Sequence, residues 1–240
     1  MRQGDAGAAG ALITDPGTLE ELRSRLLIWG RENRRTFPWR ETRDPWRVLL
    51  AEVLLHRTRA DQVVPVYLAA VERYPDPAAM ARAHLRDLRR LMRPLGLHWR
   101  VPLMREMARQ ILRRHGGRIP PDRQALQALP GVSDYIAGAV CCFAFGMPEP
   151  VLDTNTVRVL GRLFGLPVRD SSRRSRRFRD LMARLIDGPD PRELTLSMLD
   201  LAARICHPRD PECPVCPLRE LCAHGRSHGT EKRAAGGAGP

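Results

Sequence analysis

Four cysteines late in the chain, Cys206, Cys213, Cys216 and Cys222, follow the pattern C-x6-C-x2-C-x5-C. Four thiols within 17 residues, interleaved with Pro208, Pro211, Pro214 and Pro217, predict loops wrapped around a metal centre. Two metal chemistries suit four sulfurs. Tetrahedral Zn²⁺ takes Cys₄ in closed structural sites, usually from short paired knuckles, and only Cys213 and Cys216 are that close here. A [4Fe–4S] cube needs four cysteines spread around a larger object, and the six- and five-residue gaps favour it on ligand geometry. Disulfides come third, because the rest of the chain reads as cytosolic, where thiols stay reduced. Cys141 and Cys142 lie in an apolar stretch and read as small core residues.

Two acids stand out for a different reason. In Val151-Leu152-Asp153-Thr154-Asn155 an aspartate opens a helix. Plain N-capping is a frequent role for Asp, and it is compatible with catalysis, since a capping carboxylate is held ionised and aimed out of the helix. Glu52 sits in Val48–Leu55, the most apolar helix of the protein. Its helical neighbours are Val48, Leu49, Leu55 and His56, of which only His56 is polar. Partial burial and a raised pKa are expected, with a structural salt bridge to an arginine as the competing role. A protonatable Glu together with an ionised Asp is what cleavage of an N-glycosidic bond wants. One group protonates the departing base, and the other stabilises an oxocarbenium ion or activates water.

Helices must position these groups. Apolar residues recur at helical spacing between about Leu19 and Ala223, and no stretch alternates as a strand does. Helices are predicted at Leu19–Trp29, Trp46–Arg57, Gln62–Arg73, His84–Met92, Val101–Arg114, Arg123–Ala128, Tyr135–Phe145, Thr154–Phe164, Arg176–Leu185 and Glu193–Ile205. Asp44-Pro45 opens the second as cap and first turn. Between Arg123–Ala128 and Tyr135–Phe145 lies a tight turn at Pro130-Gly131. The amides of Gly131, Val132 and Ser133, at a helix N-terminus, can hold a DNA phosphate oxygen. An ordinary helix–helix connection accounts for these residues equally well.

The composition points to a polyanionic partner. The 240 residues carry a formal net charge of +13, which steers anions in at long range. No apolar run approaches the ~20 residues of a spanning helix, and the N-terminus lacks the order of a secretory signal. Cytosolic residence, near the nucleoid, is the expectation. The only lysine is Lys232, so the segment between the two Gly- and Ala-rich tails contains no ε-amine. The run Arg173–Arg179 is explained as well by a solvated helix face as by contact with phosphate.

Taken together, the hairpin, Asp153, Glu52 and the cysteine quartet resemble the helix-hairpin-helix DNA glycosylases, over about residues 19–223. Within that superfamily, Phe37-Pro38-Trp39-Arg40, Arg43-Asp44-Pro45-Trp46 and Ala51-Glu52-Val53-Leu54-Leu55 are similar to the MutY and archaeal thymine-mismatch (Mig) branch. So are Ala137-Gly138-Ala139-Val140 and the stretch around Asp153. The resemblance implies Asp153 as catalytic aspartate, Glu52 as the acid in the base pocket, and a [4Fe–4S] cluster on the quartet. It places Tyr135 where endonuclease III has its lysine nucleophile, and puts His56, Arg57 and Asn155 at the DNA. A Schiff base needs an amine, so hydrolysis by water is expected instead of a lyase step. Two departures stand out. Asp134 follows Ser133 where the family has a second glycine and then a basic or neutral residue, so its charge would repel phosphate. His56-Arg57 replaces the two glutamines general in MutY, and Arg57 looks more like the thymine-mismatch enzymes. The chain also stops soon after the quartet, without the extra domain with which MutY reads 8-oxoguanine.

The expectation is an all-α, two-domain helix-hairpin-helix glycosylase fold with an iron–sulfur cluster loop. Tails at 1–18 and 224–240 would be disordered, and an N-terminal helix segment, 19–45, would pack on a cluster domain at 151–223. A helical barrel with the hairpin would take 46–150, and the base would be extruded into a pocket between the domains. The enzyme would be monomeric and monofunctional, acting on double-stranded DNA with a mismatched base. Thymine or uracil opposite guanine is the first choice, and adenine opposite guanine or 8-oxoguanine the alternative. A non-catalytic DNA-binding module is the reading of another class, opposed by the presence of both acids.

Overall fold

The computed structural model describes residues 15–56 and 58–227. The tails expected to be disordered lie largely outside those residues, as does Arg57. Helices account for the regular structure, and no strand occurs among the described residues. None of the helices there is long and apolar enough to cross a membrane. The chain divides into two compact units: residues 36–147, and residues 1–35 together with 148–240.

The discontinuous unit begins with α1, Pro16–Asn33. It starts inside the segment expected as tail, because Asp15 caps it, accepting from the Thr18 amide at 2.8 Å, with Pro16 in the first turn.

In the continuous unit, α2 spans Pro45–Leu54, and Asp44 accepts from the Arg47 amide at 2.8 Å to start it. Every residue of α2 except Pro45 and Arg47 is buried. The helix ends three residues earlier than expected, with Leu55 and His56 in a turn. Then come α3 (Ala60–Arg73), α4 (Pro77–Arg82), α5 (Leu85–Met92) and α6 (Val101–His115). The six-residue α4, too short to show a period, was not predicted; its signal is the Asp76-Pro77 cap. The unit closes with α7 (Arg123–Gln127) and α8 (Asp134–Phe145). The apolar α8 packs against both α2 and α7, and α4 packs against α6.

After residue 147 the discontinuous unit resumes with α9 (Thr154–Leu163), α10 (Arg176–Ile186) and α11 (Pro191–Arg204). Short 3-10 turns at Asp170–Arg174 and Cys213–Val215 follow α9 and α11 respectively. Residues 223–227 are helical, extending into the expected C-terminal tail. The core joins Leu22 and Leu26 of α1 to Leu160, Met182, Met198 and Leu201, and Cys206, Cys216 and Cys222 pack against it. The helices α1 and α11 approach so closely that a Cβ at Gly30 would collide with the Ser197 hydroxyl. At the exit of α1, buried Asp200 accepts from Arg35 Nε at 2.6 Å and from the Arg35 amide at 3.1 Å.

Candidate functional site

The continuous unit carries the hairpin and Glu52. At the hairpin, Gly131 takes φ +79°, a left-handed value that favours glycine, and the Val132 amide donates to the Leu129 carbonyl at 3.2 Å. Ser133 caps α8 by accepting from the Ile136 amide. Val132 is buried, Gly131 half-buried and Ser133 exposed, so the turn presents backbone more than side chains. Asp134, whose charge was expected to repel phosphate, is engaged by neighbours: Arg123 Nη2 lies 2.9 Å from its carboxylate and Gln127 donates to the same oxygen. The pair ties α7 to α8 and offsets the negative charge beside the turn. Tyr135 is half-buried in the first turn of α8.

Glu52 is 5% exposed, deeper than the partial burial expected. Beyond it, α2 ends beside a group that the sequence did not single out. Arg100 is buried and donates to the Val53 carbonyl at 3.3 Å. Its guanidinium lies 4.9 Å from the ring centroid of Trp99, which stands 59% exposed. The His56 ring meets Trp99 edge-on at 6.3 Å. A half-buried His56, an exposed Trp99 and a buried cation under the indole therefore gather at the C-terminal end of the helix bearing Glu52. An exposed Trp in the polar segment His98–Arg100 is the only signal that could have found them.

In the discontinuous unit, Asp153 caps α9 with a complete capping box. One carboxylate oxygen accepts from the amides of Asn155 and Thr156, both at 2.8 Å, and the other accepts from the Asn155 side chain at 2.8 Å. Thr156 Oγ1 accepts from the Asp153 amide at 2.9 Å. The carboxylate is thus fixed in direction. Asn155, expected at the DNA, spends its amide group inside the protein: its Oδ1 accepts from Arg158 Nη1 at 3.1 Å. Arg158 in turn donates to the carbonyls of Cys206 at 2.9 Å and Ala202 at 3.0 Å. A continuous run of hydrogen bonds links the carboxylate of Asp153 to the first residue of the cysteine quartet.

The four cysteines are free thiols and line one cavity, walled by Leu163, Leu201, Ile205 and Leu218. Burial pushes the Cys216 thiol up to about 11, and burial also raises Cys213 and Cys222. Donors nonetheless face the sulfurs. The Leu218 amide points at Cys216, those of Gly225 and His224 at Cys222, and Arg162 Nη1 lies 3.3 Å from the Cys206 sulfur. Desolvated, mutually repelling sulfurs ringed by N–H donors fit an anionic thiolate set around a positively charged metal group. Among the described residues no three or more His, Cys, Asp or Glu side chains are drawn together as a preformed site for a single metal ion.

A family model described as HhH-GPD superfamily base excision DNA repair protein matches residues 50–184. The thymine-DNA glycosylase of Aeropyrum pernix is 44% identical over 220 residues, 89% of this chain and 98% of that one. The adenine DNA glycosylase of Mycobacterium tuberculosis is 35% identical over 213 residues, 88% of this chain and 69% of the other. A solved structure of a thermostable thymine-DNA glycosylase superposes with a TM-score of 0.80 at 33% identity, covering 87% of this chain and 97% of that one.

Proposed function

The chain belongs to the HhH-GPD superfamily of base excision DNA repair proteins, and from that premise we propose that it hydrolyses the N-glycosidic bond of thymine or uracil mispaired with guanine in double-stranded DNA. The observation that carries the reaction is the Asp153 carboxylate, held by three N–H donors at the start of α9. The likeness to the thymine-DNA glycosylase supports the choice of base. Uracil joins thymine because a pocket that admits the 5-methyl group discriminates against its absence by only about 1–3 kcal/mol.

In this reading the target nucleotide is extruded from the duplex, with Gly131, Val132 and Ser133 holding backbone phosphate and His56 and Arg57 near the opened pair. Glu52, shielded from water, delivers a proton to the departing base as the bond from C1′ to nitrogen breaks and the base keeps the electron pair. Asp153 faces the positive charge that develops on the sugar. Water adds to C1′, its proton passes to a carboxylate, and an abasic site remains. Tyr135 offers no amine, so the strand is not cut through a Schiff base. Cys206, Cys213, Cys216 and Cys222 would hold a [4Fe–4S] cluster. When bound, it would supply iron–thiolate bonds that cross-link the 206–222 loop. The enzyme acts as a monomer in the cytoplasm, at the nucleoid.

The test is single-turnover cleavage of a panel of mismatched duplexes, with alkali to reveal abasic sites. Release of thymine and uracil opposite guanine supports the reading. Release of adenine opposite guanine or 8-oxoguanine would replace it with the second reading, which the 35% identity to an adenine glycosylase favours. Binding without release from any duplex would reduce the protein to a DNA-binding module.

A further inference from the structure

Two side chains of the discontinuous unit line two cavities at once. Arg162 and His224 border the cavity of the four cysteines. They also border an open groove of about 870 Å³ rimmed by Arg158, Gly161, Val168, Pro208 and Arg226. Among the described residues no other residue lines both. Arg162 is fastened at this boundary from both ends. Its Nη1 donates to the His207 carbonyl at 2.5 Å and approaches the Cys206 sulfur at 3.3 Å, while Nη2 donates to the Pro208 carbonyl at 3.0 Å. Its own carbonyl accepts from the Cys222 thiol at 3.4 Å. One residue of α9 therefore touches the first and the last cysteine of the quartet and the chain leaving the first.

We propose that Arg162, with His224 beside it, is the wall that closes the metal cavity against the basic groove. It is a positioning residue that keeps Cys206 turned inward and dissolved anions away from the metal. This rests on the reading that the quartet holds an iron–sulfur cluster. The need for a wall follows from the groove itself. Arg158 and Arg226 on its rim attract anions, and anions that coordinate iron would collect within one side chain of the cluster. A neutral side chain at 162 would leave the carbonyls of His207 and Pro208 without their donor, at a cost for each. The loop after Cys206 would then loosen at the same point where the wall had thinned.

The experiment compares variants of the full-length protein isolated without oxygen. An anionic, water-soluble ferrous chelator is added, and iron release is followed together with loss of the cluster's visible absorbance. Arg162→Met keeps length and removes charge and donors; it is expected to release iron about 10–100-fold faster, the usual scale for partners of metal ligands. Arg162→Lys should fall between that variant and the native protein, and His224→Ala should be several-fold faster than native. Arg226→Gln, which removes groove charge and keeps a side-chain N–H for the Glu220 carbonyl, should release iron at the native rate. Arg162→Met at the native rate, with native iron content and melting temperature, would overturn the proposal. So would Arg226→Gln matching Arg162→Met, since groove charge alone would then be responsible. If Arg162→Met does not fold, native rates for both Arg162→Lys and His224→Ala have the same force. A native protein isolated without iron would sink the cluster reading, not the wall. Iodoacetamide alkylation of Cys206, mapped by mass spectrometry, tests the wall without iron: protection in the native protein lost in Arg162→Lys supports it, and equal labelling overturns it.

Discussion

The two carboxylates assigned to the chemistry are held in opposite ways. Asp153 is half-buried at a helix start, and three N–H donors fix both of its oxygens. Glu52 lies mid-helix, 5% exposed, with buried Val48, Leu49 and Val53 around it on α2. One acid is aimed by hydrogen bonds at a helix start, and the other is set deep in an apolar helix. The difference teaches where each is vulnerable: Asp153 is part of the structure that starts α9, whereas Glu52 lies inside α2, away from the cap that starts it.

The largest expected effect tests the first half of that contrast. Asp153→Asn keeps volume and capping capacity and removes the charge. Base release should fall by about 10³-fold or more in single turnover, the scale of removing a well-placed stabilising group, while duplex binding persists. A near-native rate would leave Asp153 as a cap alone. Glu52→Gln should slow release by about 10²–10⁴-fold, the range of general acid–base assistance, and the loss should be greatest for the base that leaves least readily without a proton. An unchanged rate across bases would remove Glu52 from the mechanism.

A smaller effect separates aiming from charge. Asn155→Ala deletes the side-chain donor to Asp153 and the acceptor for Arg158 without touching either carboxylate. A loss of about tenfold in rate, near one hydrogen bond to a charged group, with melting temperature little changed, is expected; no loss would mean that the two backbone amides suffice. The smallest effect is on stability. Asp153→Ala should cost about 1 kcal/mol through the lost cap, whereas Glu52→Gln, which keeps volume and hydrogen-bonding capacity, should cost less. Urea denaturation of the two variants, read at equal slope, decides it; equal destabilisation would erase the contrast.

What was legible in the sequence divides along the same line. Caps were readable because they are local: Asp44-Pro45 and Asp153 each bond within three residues. The burial of Glu52 was readable because its helical neighbours are apolar. The latches were not. Arg158 reaches Cys206 across 48 residues and Arg162 reaches Pro208 across 46. In a chain whose Lys+Arg total of 40 is almost all arginine, nothing in the sequence marks these two among the rest. The Arg123–Asp134 pair and the Trp99–Arg100 stack were hidden for the same reason, since tertiary proximity creates them.

The anchoring of α1 by Asp200 has a consequence for biosynthesis. Arg35 and Asp200 are 165 residues apart. On a translating ribosome α1 therefore emerges first and waits on the order of ten to thirty seconds for its partner helix. Throughout that interval Leu22 and Leu26 lack the core they will join, while the continuous unit 36–147 can complete itself in between. The nascent chain thus carries an unprotected apolar segment ahead of the continuous unit, where a chaperone would have a long opportunity to bind.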